Sequence, residues 1–199
     1  MTLVKVCGIT SLKEALLLEA LGVNYLGFNF YPKSKRYISP SQAAIITSQL
    51  STAQAVGIFV NKPLESILTI CKQTALALVQ LHGEEPEGIS KKIPLPVIRA
   101  IPVFQDDPLP PSPEGEYEFL LFDSKVGKEF GGTGTPFDWN LLRNFKGKPF
   151  FLAGGLGPDN IVRAIEECQP YAVDLNSQVE IEPGIKDIEK VKTCLELIR

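Results

Sequence analysis

Eight short apolar segments recur along the chain about every 20 to 30 residues, separated by segments that carry helix signals. The segments are apolar nearly throughout rather than alternating, which is typical of parallel strands covered on both faces. The predicted strands are Leu3–Cys7, Tyr25–Phe30, Ala55–Val60, Leu76–Leu81, Pro96–Ile101, Phe119–Asp123, Phe150–Ala153 and Tyr171–Leu175. This pattern favours an α/β fold, a closed (β/α)₈ TIM barrel. A doubly wound open sheet is the alternative, but it usually has five or six strands.

The segments between the strands carry start and stop signals for helices. Ser11 and Glu14 have the spacing of a capping box, and Gly22 would end the helix that follows. Further helices are predicted to begin near Ser39–Pro40, Lys62–Pro63, Gly83, Asp138, Gly157–Asn160 and Asp187. The stretch Pro102–Gly115 holds five prolines, so we expect the fifth helix to be short or irregular.

Length and charge limit the possible functions. A chain of 199 residues with 44% hydrophobic residues suits one domain, here residues 1–199. The net charge is −3 and no cluster of Lys and Arg dominates a segment, so neither nucleic acid nor a membrane surface is expected as a partner. No apolar stretch approaches membrane-spanning length.

The cysteine and histidine content bears on metals and compartment. The four cysteines form no C-x-x-C pair, which indicates free thiols and a reducing, cytoplasmic location. His82 is the single histidine, so a multi-histidine metal site is excluded and no thiolate cluster replaces it. We therefore expect no metal.

In a barrel, the residues at the C-terminal ends of the strands face the active site. Here the polar or unusual residues at those ends are few. They are Cys7, Asn29, Asn61, His82, Arg99, Asp123, Gly154, Gly155, Asn176 and Ser177.

Cys7 and Asp123 end the first and sixth predicted strands and can both transfer protons. A thiolate can accept a proton from carbon if a cation or a helix N-terminus lowers its pKa, and a buried aspartic acid can donate one. Such a base and acid on opposite faces of a sugar suit an aldose-to-ketose proton shift. On the residues alone, a cysteine in this position is more often a small core residue than a base, and that interpretation is favoured for Cys7. Asp123 can equally be a turn residue, and His82 can simply orient its loop.

Two neighbouring strand ends predict a phosphate site. Gly154 and Gly155 follow a strand and precede a helix start, so their N–H groups can cradle a phosphate. Asn176 and Ser177 supply side-chain donors at the end of the next strand, and the loops after strands seven and eight frequently bind phosphate in these barrels.

Two loops can contact the rest of a substrate. Arg36 lies in a basic loop after the second strand and can make a two-pronged contact with a carboxylate. Alternatively, this is a solvated loop. The segment 128–139 contains three glycines (Gly131, Gly132 and Gly134) and can act as a lid that excludes water, or be a flexible surface loop.

Nine segments together resemble the phosphoribosylanthranilate isomerase family of tryptophan biosynthesis. They occur in the family's order over nearly the whole chain: "VKVCGIT", "GFNFYPKSKRYISP", "VGIFVN", "VQLHGEE", "LFDSK", "GGTGTPFDW", "LAGGLGPDN", "AVDLNSQVE" and "PGIKD". The eighth-strand segment departs from the family's usual D-V-S-S-G-V-E, since Asn176 stands in place of a serine and Gln178 in place of a glycine.

The resemblance implies an aldose–ketose isomerase that converts N-(5-phosphoribosyl)anthranilate to 1-(2-carboxyphenylamino)-1-deoxyribulose 5-phosphate by an Amadori rearrangement, without a cofactor. It implies that Cys7 is the general base and Asp123 the general acid, and that Arg36 binds the anthranilate. Phosphate binding maps to Gly154, Gly155, Asn176 and Ser177, with Asp174 nearby; His82 is counted with the substrate-binding residues.

Two alternatives stay open from the sequence. One is another phosphosugar isomerase or epimerase, although epimerases of this fold use metal-ligating histidines that one histidine cannot furnish. The other is an inactive barrel that binds a phosphate ligand. The expected partner is a small phosphosugar, and the chain is expected to be a monomer or a homodimer.

Overall fold

Eight parallel strands close into one barrel in sequence order. The computed structural model describes residues 2–104, 107–111, 113–125 and 137–199. The barrel strands are β1 (Leu3–Cys7), β2 (Tyr25–Asn29), β3 (Gln54–Phe59), β4 (Leu78–Leu81), β5 (Val97–Phe104), β6 (Phe119–Lys125), β7 (Phe150–Leu152) and β8 (Ala172–Leu175). The predicted (β/α)₈ barrel is therefore confirmed: β1 has the predicted bounds, and the other seven strands differ by one to three residues at one end or both.

The helices on the outside are fewer than the sequence indicated. Among the described residues they are α1 (Leu12–Ala20), α2 (Pro40–Thr47), α3 (Leu64–Gln73), α4 (Ile161–Cys168) and α5 (Ile188–Ile198), with short 3₁₀ helices at Ser90–Lys92, Trp139–Leu142 and Ser177–Val179. Ser39 and Asp187 cap α2 and α5 as predicted, since their side chains accept from the backbone N–H groups of Gln42 and Lys190.

The prediction of a helix beginning at Gly83 is wrong. Only the 3₁₀ helix Ser90–Lys92 forms between β4 and β5. Gly88 has φ +74° and Pro86 lacks an N–H, so neither suits the interior of a helix. The carboxylate of Glu85 instead accepts hydrogen bonds from the backbone of Asn61 and Gly83. The described part of Pro102–Gly115 contains no helix, as its prolines predicted.

The capping box at the start of α1 is also wrong. Ser11 makes no capping hydrogen bond with its side chain. Glu14 is buried and accepts from the backbone N–H of Lys186, at the far end of the chain. The Glu14 carboxylate therefore binds a backbone group far along the chain instead of capping α1.

A short antiparallel hairpin after β8 was not predicted. It pairs β9 (Glu180–Glu182) with β10 (Ile185–Lys186), and Gly184 takes φ +92° at its turn. The hairpin contacts the loop after β1, since the hydroxyl of Thr10 donates to the carbonyl of Gly184. It therefore joins the end of β8 to the end of β1.

Two apolar cores hold the barrel. The larger lies between the strands and the helices, whereas the smaller fills the barrel interior, with Tyr25, Val56, Ile98, Leu121 and Phe151 among its members. Buried polar side chains then continue the interior towards the C-terminal ends of the strands: Lys5, Gln80 and Asp174. Each stands two residues before a predicted site residue at the end of its strand, and alternate residues of an extended chain share a face. The polar interior thus leads into the mouth of the barrel.

Candidate active site

The turn after β1 places Cys7 at the mouth of the barrel. Cys7 lies opposite Gly27 of β2, and a Cβ on Gly27 would come 3.0 Å from the Cys7 sulphur. Glycine at position 27 therefore leaves room for the thiol. The backbone N–H groups of Gly8 and Ile9 both donate to the carbonyl of Gly27, which fixes the turn.

Four charged groups, from four places in the fold, act on the Cys7 thiol. They are Lys5 on the same strand, Asp174 on β8, and the pair of Lys186 and Arg36 from the hairpin and the loop after β2. Burial raises the pKa of Cys7 above its ordinary value, and the three cations oppose that rise. The net effect favours the thiol in the free protein, although the three cations by themselves stabilise the thiolate.

A buried ion pair lies beneath Cys7. The Lys5 Nζ atom is 2.6 Å from Asp174 Oδ2, and the two residues face each other across the β1–β8 pairing. Lys5 is 0% exposed and Asp174 is 7% exposed. Burial lowers the pKa of Lys5, but the neighbouring carboxylate outweighs it and holds the pKa above its ordinary value. The lysine therefore stays charged inside the barrel.

His82 and Asp123 form a second pair at the mouth. His82 Nε2 is 3.3 Å from Asp123 Oδ2, and both side chains are partly exposed. The Nε2 amide of Gln80, beneath them on β4, is 2.8 Å from His82 Nδ1. If that amide donates to Nδ1, the proton of a neutral imidazole sits on Nε2 and points to Asp123. The predicted acid thus has an oriented imidazole beside it.

Arg36 makes its two-pronged contact within the protein. Its Nε donates to Glu180 Oε1 at 2.9 Å and its Nη2 to Glu180 Oε2 at 2.6 Å. The guanidinium lies over the turn after β1, since a Cβ on Gly8 would come 2.6 Å from Arg36 Cδ. The edge formed by Nη1 and Nη2 remains for a ligand carboxylate, because a planar guanidinium offers two such edges.

Glu180 also joins the hairpin to the end of β8. It accepts from Lys186 Nζ at 2.6 Å and from the backbone N–H of Gly184 at 3.1 Å. Lys186 Nζ donates to Asn176 Oδ1 as well, at 3.0 Å. Burial tends to raise the pKa of Glu180, but Arg36 and Lys186 outweigh it and hold the pKa below its ordinary value. This carboxylate is therefore an anchor for both cations.

The predicted phosphate site has the backbone conformation that such a loop needs. Gly154 and Gly155 take φ +94° and +67°, and a Cβ on Gly154 would collide with Ser124 of β6. Within the part of the chain that the structure describes, the N–H groups of Gly154, Gly155 and Ser177 donate to no protein atom. Three donors at two adjacent strand ends are thus free to bind an anion.

Gln178 stands next to this loop. A Cβ on Gly157 would come 2.9 Å from Gln178 Cβ, so the two backbones pass close together here. The side chain of Gln178 is exposed. The departure from the family pattern is therefore accommodated because position 157 carries no side chain.

Two of the predicted strand-end residues bind loop atoms rather than facing the central mouth. Asn29 binds the Tyr31 N–H and the Ser34 hydroxyl of its own loop. Asn61 accepts from the backbone N–H of Glu84 and takes φ +50°.

Arg99 was predicted at a strand end, but it lies within β5, which continues to Phe104. It forms an ion pair with Glu85. Asp123 likewise lies two residues before the end of β6.

A family model described as N-(5'phosphoribosyl)anthranilate (PRA) isomerase matches residues 4–197 of this chain. The chain belongs to the phosphoribosylanthranilate isomerase family. The family's members are enzymes of tryptophan biosynthesis, in agreement with the resemblance seen in the sequence.

Individual phosphoribosylanthranilate isomerases are similar over their whole length. The protein of that name from Thermotoga petrophila is 41% identical over 201 residues, which cover 98% of each chain. The crystal structure from Thermus thermophilus has a TM-score of 0.90 at 35% identity, covering 99% of this chain and 98% of that one. A phosphoribosylanthranilate isomerase in complex with reduced 1-(o-carboxyphenylamino)-1-deoxyribulose 5-phosphate has a TM-score of 0.83 at 36% identity, covering 98% and 97%.

Among the residues that the structure describes, no group of three or more His, Cys, Asp or Glu side chains forms a metal site, and no helix is long and apolar enough to cross a membrane. The glycines of the predicted lid in this phosphoribosylanthranilate isomerase family member, Gly131, Gly132 and Gly134, lie outside the described residues.

Sequence reasoning gave no role to Lys5, Gln80, Glu180 and Lys186. Lys5 and Gln80 stand inside apolar strands, where a polar residue facing the barrel interior is the available signal. Glu180 and Lys186 lie in segments that the family resemblance covered. Their ion pair depends on the hairpin, which brings the two ends of a short loop together.

Proposed function

We propose that this chain is the isomerase that converts N-(5-phosphoribosyl)anthranilate to 1-(2-carboxyphenylamino)-1-deoxyribulose 5-phosphate, acting as one domain over residues 1–199. The observation that carries the proposal is the mouth of the barrel. A thiol ringed by cations and a carboxyl beside an imidazole lie at the same end as a loop with free backbone donors. Membership of the family supports the choice of substrate.

The phosphate of the substrate is held by the ends of β7 and β8. The N–H groups of Gly154, Gly155 and Ser177 bind its oxygens, and Asn176 is oriented nearby by Lys186. The free edge of Arg36 binds the anthranilate carboxylate. Anchoring both ends places the flexible ribose between Cys7 and Asp123, and such positioning contributes strongly to the rate.

Asp123 begins the reaction as a general acid. It donates its proton to the ribose ring oxygen while the nitrogen lone pair opens the ring, giving a protonated Schiff base. His82 orients the carboxyl through Nε2. An acid in this position contributes on the order of 10² to 10⁴ in rate.

Cys7 completes the proton shift as a general base. Its thiolate removes the proton from C2′, and the C–H electron pair moves to form the enolamine. The enolamine then tautomerises to the ketone, with a proton gained at C1′ and lost from the C2′ hydroxyl. The proton shift leaves Cys7 protonated and Asp123 ionised. Loss of a proton from Cys7 and gain of one by Asp123, through solvent, restore the thiolate and the carboxylic acid for the next turnover. Every step moves a proton, so the mechanism requires no cofactor.

Turnover by the purified chain tests this proposal. We expect the fluorescence of the anthranilate group in freshly prepared N-(5-phosphoribosyl)anthranilate to decay catalytically. Mass spectrometry would identify an isomer of unchanged mass, which sodium borohydride reduces. A chain that binds inorganic phosphate yet shows no decay above the uncatalysed rate would instead be an inactive phosphate-binding barrel.

A further inference from the structure

Lys5 is the buried charged residue closest in sequence to Cys7, the proposed base. It lies deeper in the barrel than the mouth, where Cys7 ends β1. Lys5 and Cys7 are two residues apart on β1, so both point into the barrel from one face of the strand. The lysine is completely buried, and the burial of an ammonium requires a partner for its charge.

The Lys5 ammonium has Asp174 as its partner on β8 and Cys7 as a neighbour on β1. Asp174 Oδ2 lies 2.6 Å from its Nζ and fixes the ammonium from the side of β8. Two residues along the same strand, the charge of the Lys5 ammonium acts to lower the pKa of the Cys7 thiol against the effect of burial. Among the described residues, Asp174 is the one side chain that accepts a hydrogen bond from the Lys5 ammonium. The ammonium is therefore anchored from one side and shares the inward face of β1 with Cys7.

The other cations near Cys7 are already engaged. Lys186 donates to Glu180 and to Asn176, and Arg36 is held by Glu180. Their charges reach Cys7, but their geometry is set by the hairpin. Of these three cations, Lys5 is the one that shares a strand and an inward face with Cys7.

We infer that Lys5 is a positioning residue for the base: its buried ammonium, anchored by Asp174, holds the negative charge that Cys7 acquires as a thiolate. This inference rests on the proposed function for the meaning of that charge. It does not require turnover for its test, because the ionisation of Cys7 can be followed in the free protein.

Opposite shifts in two variants distinguish this role from a structural one. Removing the cation in Lys5→Met disfavours the thiolate, whereas removing the neighbouring anion in Asp174→Asn favours it. A nearby opposite charge is typically worth about one to three pH units in the ionisation of a group. Damage to packing would not shift the ionisation of Cys7 in opposite directions in the two variants.

The experiment measures the rate at which iodoacetamide alkylates Cys7 as a function of pH, with the Cys7 peptide quantified by mass spectrometry. We expect the midpoint to rise by about one unit or more in Lys5→Met, to fall in Asp174→Asn, and to move little in Lys5→Arg. Lys13→Met, on the exposed start of α1, is the matched control and should leave the midpoint unchanged.

An unchanged midpoint in Lys5→Met, or shifts of the same sign in both variants, would overturn the inference. If Lys5→Met does not fold, the Asp174→Asn midpoint decides alone, since a rise or no change there contradicts the arrangement. A wild-type chain without isomerase activity, but with the expected opposite shifts, would reject the proposed function and leave the role of Lys5 standing.

Discussion

Arg36 lies directly over Gly8: a Cβ on that glycine would come 2.6 Å from Arg36 Cδ and 3.3 Å from its Cβ. The turn that follows the proposed base therefore also supports the proposed carboxylate-binding residue. Gly8 takes φ +81°, a conformation that side chains rarely adopt. One glycine thus serves both the direction of the chain after Cys7 and the position of Arg36.

Gly8→Ala should separate these effects. We expect a loss of about 1 to 2 kcal/mol in the free energy of unfolding from the backbone strain, and a higher KM because Arg36 is displaced. Gly88→Ala is the matched control, because Gly88 has φ +74° but a Cβ there would meet nothing within 4 Å. Steady-state kinetics measure KM and urea unfolding measures the free energy of unfolding, for both variants. An equal KM in the two variants would contradict the role of the Gly8–Arg36 contact.

Glu180→Gln should weaken substrate binding through Arg36. The amide cannot hold the guanidinium with two charged oxygens, and it leaves Lys186 without its anionic partner. We expect KM to rise about tenfold, equivalent to about 1.4 kcal/mol. Glu182→Gln on the exposed strand of the same hairpin is the control. A KM equal to that of the wild type would show that Arg36 needs no anchor.

Glu19 should contribute stability that disappears in acid. Its Oε1 accepts from the backbone N–H groups of Ser51, Thr52 and Ala53 at 2.7 to 2.8 Å. Slight burial tends to raise its pKa, but these bonds lower it below the ordinary value of 4.5. Because the folded pKa is depressed, the stabilisation is present above pH 4.5 and is lost as the pH falls through the folded value.

Urea unfolding across this range checks the prediction. Glu19→Ala should lose about 1 to 2 kcal/mol in the free energy of unfolding at pH 7, with the difference shrinking towards pH 3. Glu196→Ala, an exposed glutamate on α5, should change little at either pH. A difference that stays constant with pH would mean that the charge of Glu19 is not involved.

The barrel was predictable because its strands carry their own signal. A parallel strand covered on both faces reads as a short apolar run, and all eight runs became strands. The positions of Cys7, Asp123, Gly154 and Gly155 at the mouth follow from that topology alone.

The errors arose where distant residues override local patterns. Glu14 has the spacing of a cap, but the backbone of Lys186 takes its carboxylate. Glu85 has the place of a first-turn helix residue, but Arg99 and the loop after β3 bind it instead. Such partners are far apart in the sequence, so no window of neighbouring residues contains the information.

The polar interior was missed for a related reason. In an apolar strand, one lysine can point outwards or into the barrel, and only closure of β1 against β8 sets Lys5 opposite Asp174. The roles of Cys7, Asp123 and Arg36 remain predictions from the sequence, now with neighbours that suit them.

The most direct test of the central claim is the turnover number of Cys7→Ser and Asp123→Asn beside the wild type. Each variant should retain the fold by circular dichroism and lose at least about 10²-fold in kcat, because each lacks one proton-transfer group. Cys71→Ser in α3 and the exposed Asp107→Asn are the matched controls and should keep the wild-type kcat. A folded Cys7→Ser or Asp123→Asn protein with near-wild-type turnover would contradict the proposed acid–base pair.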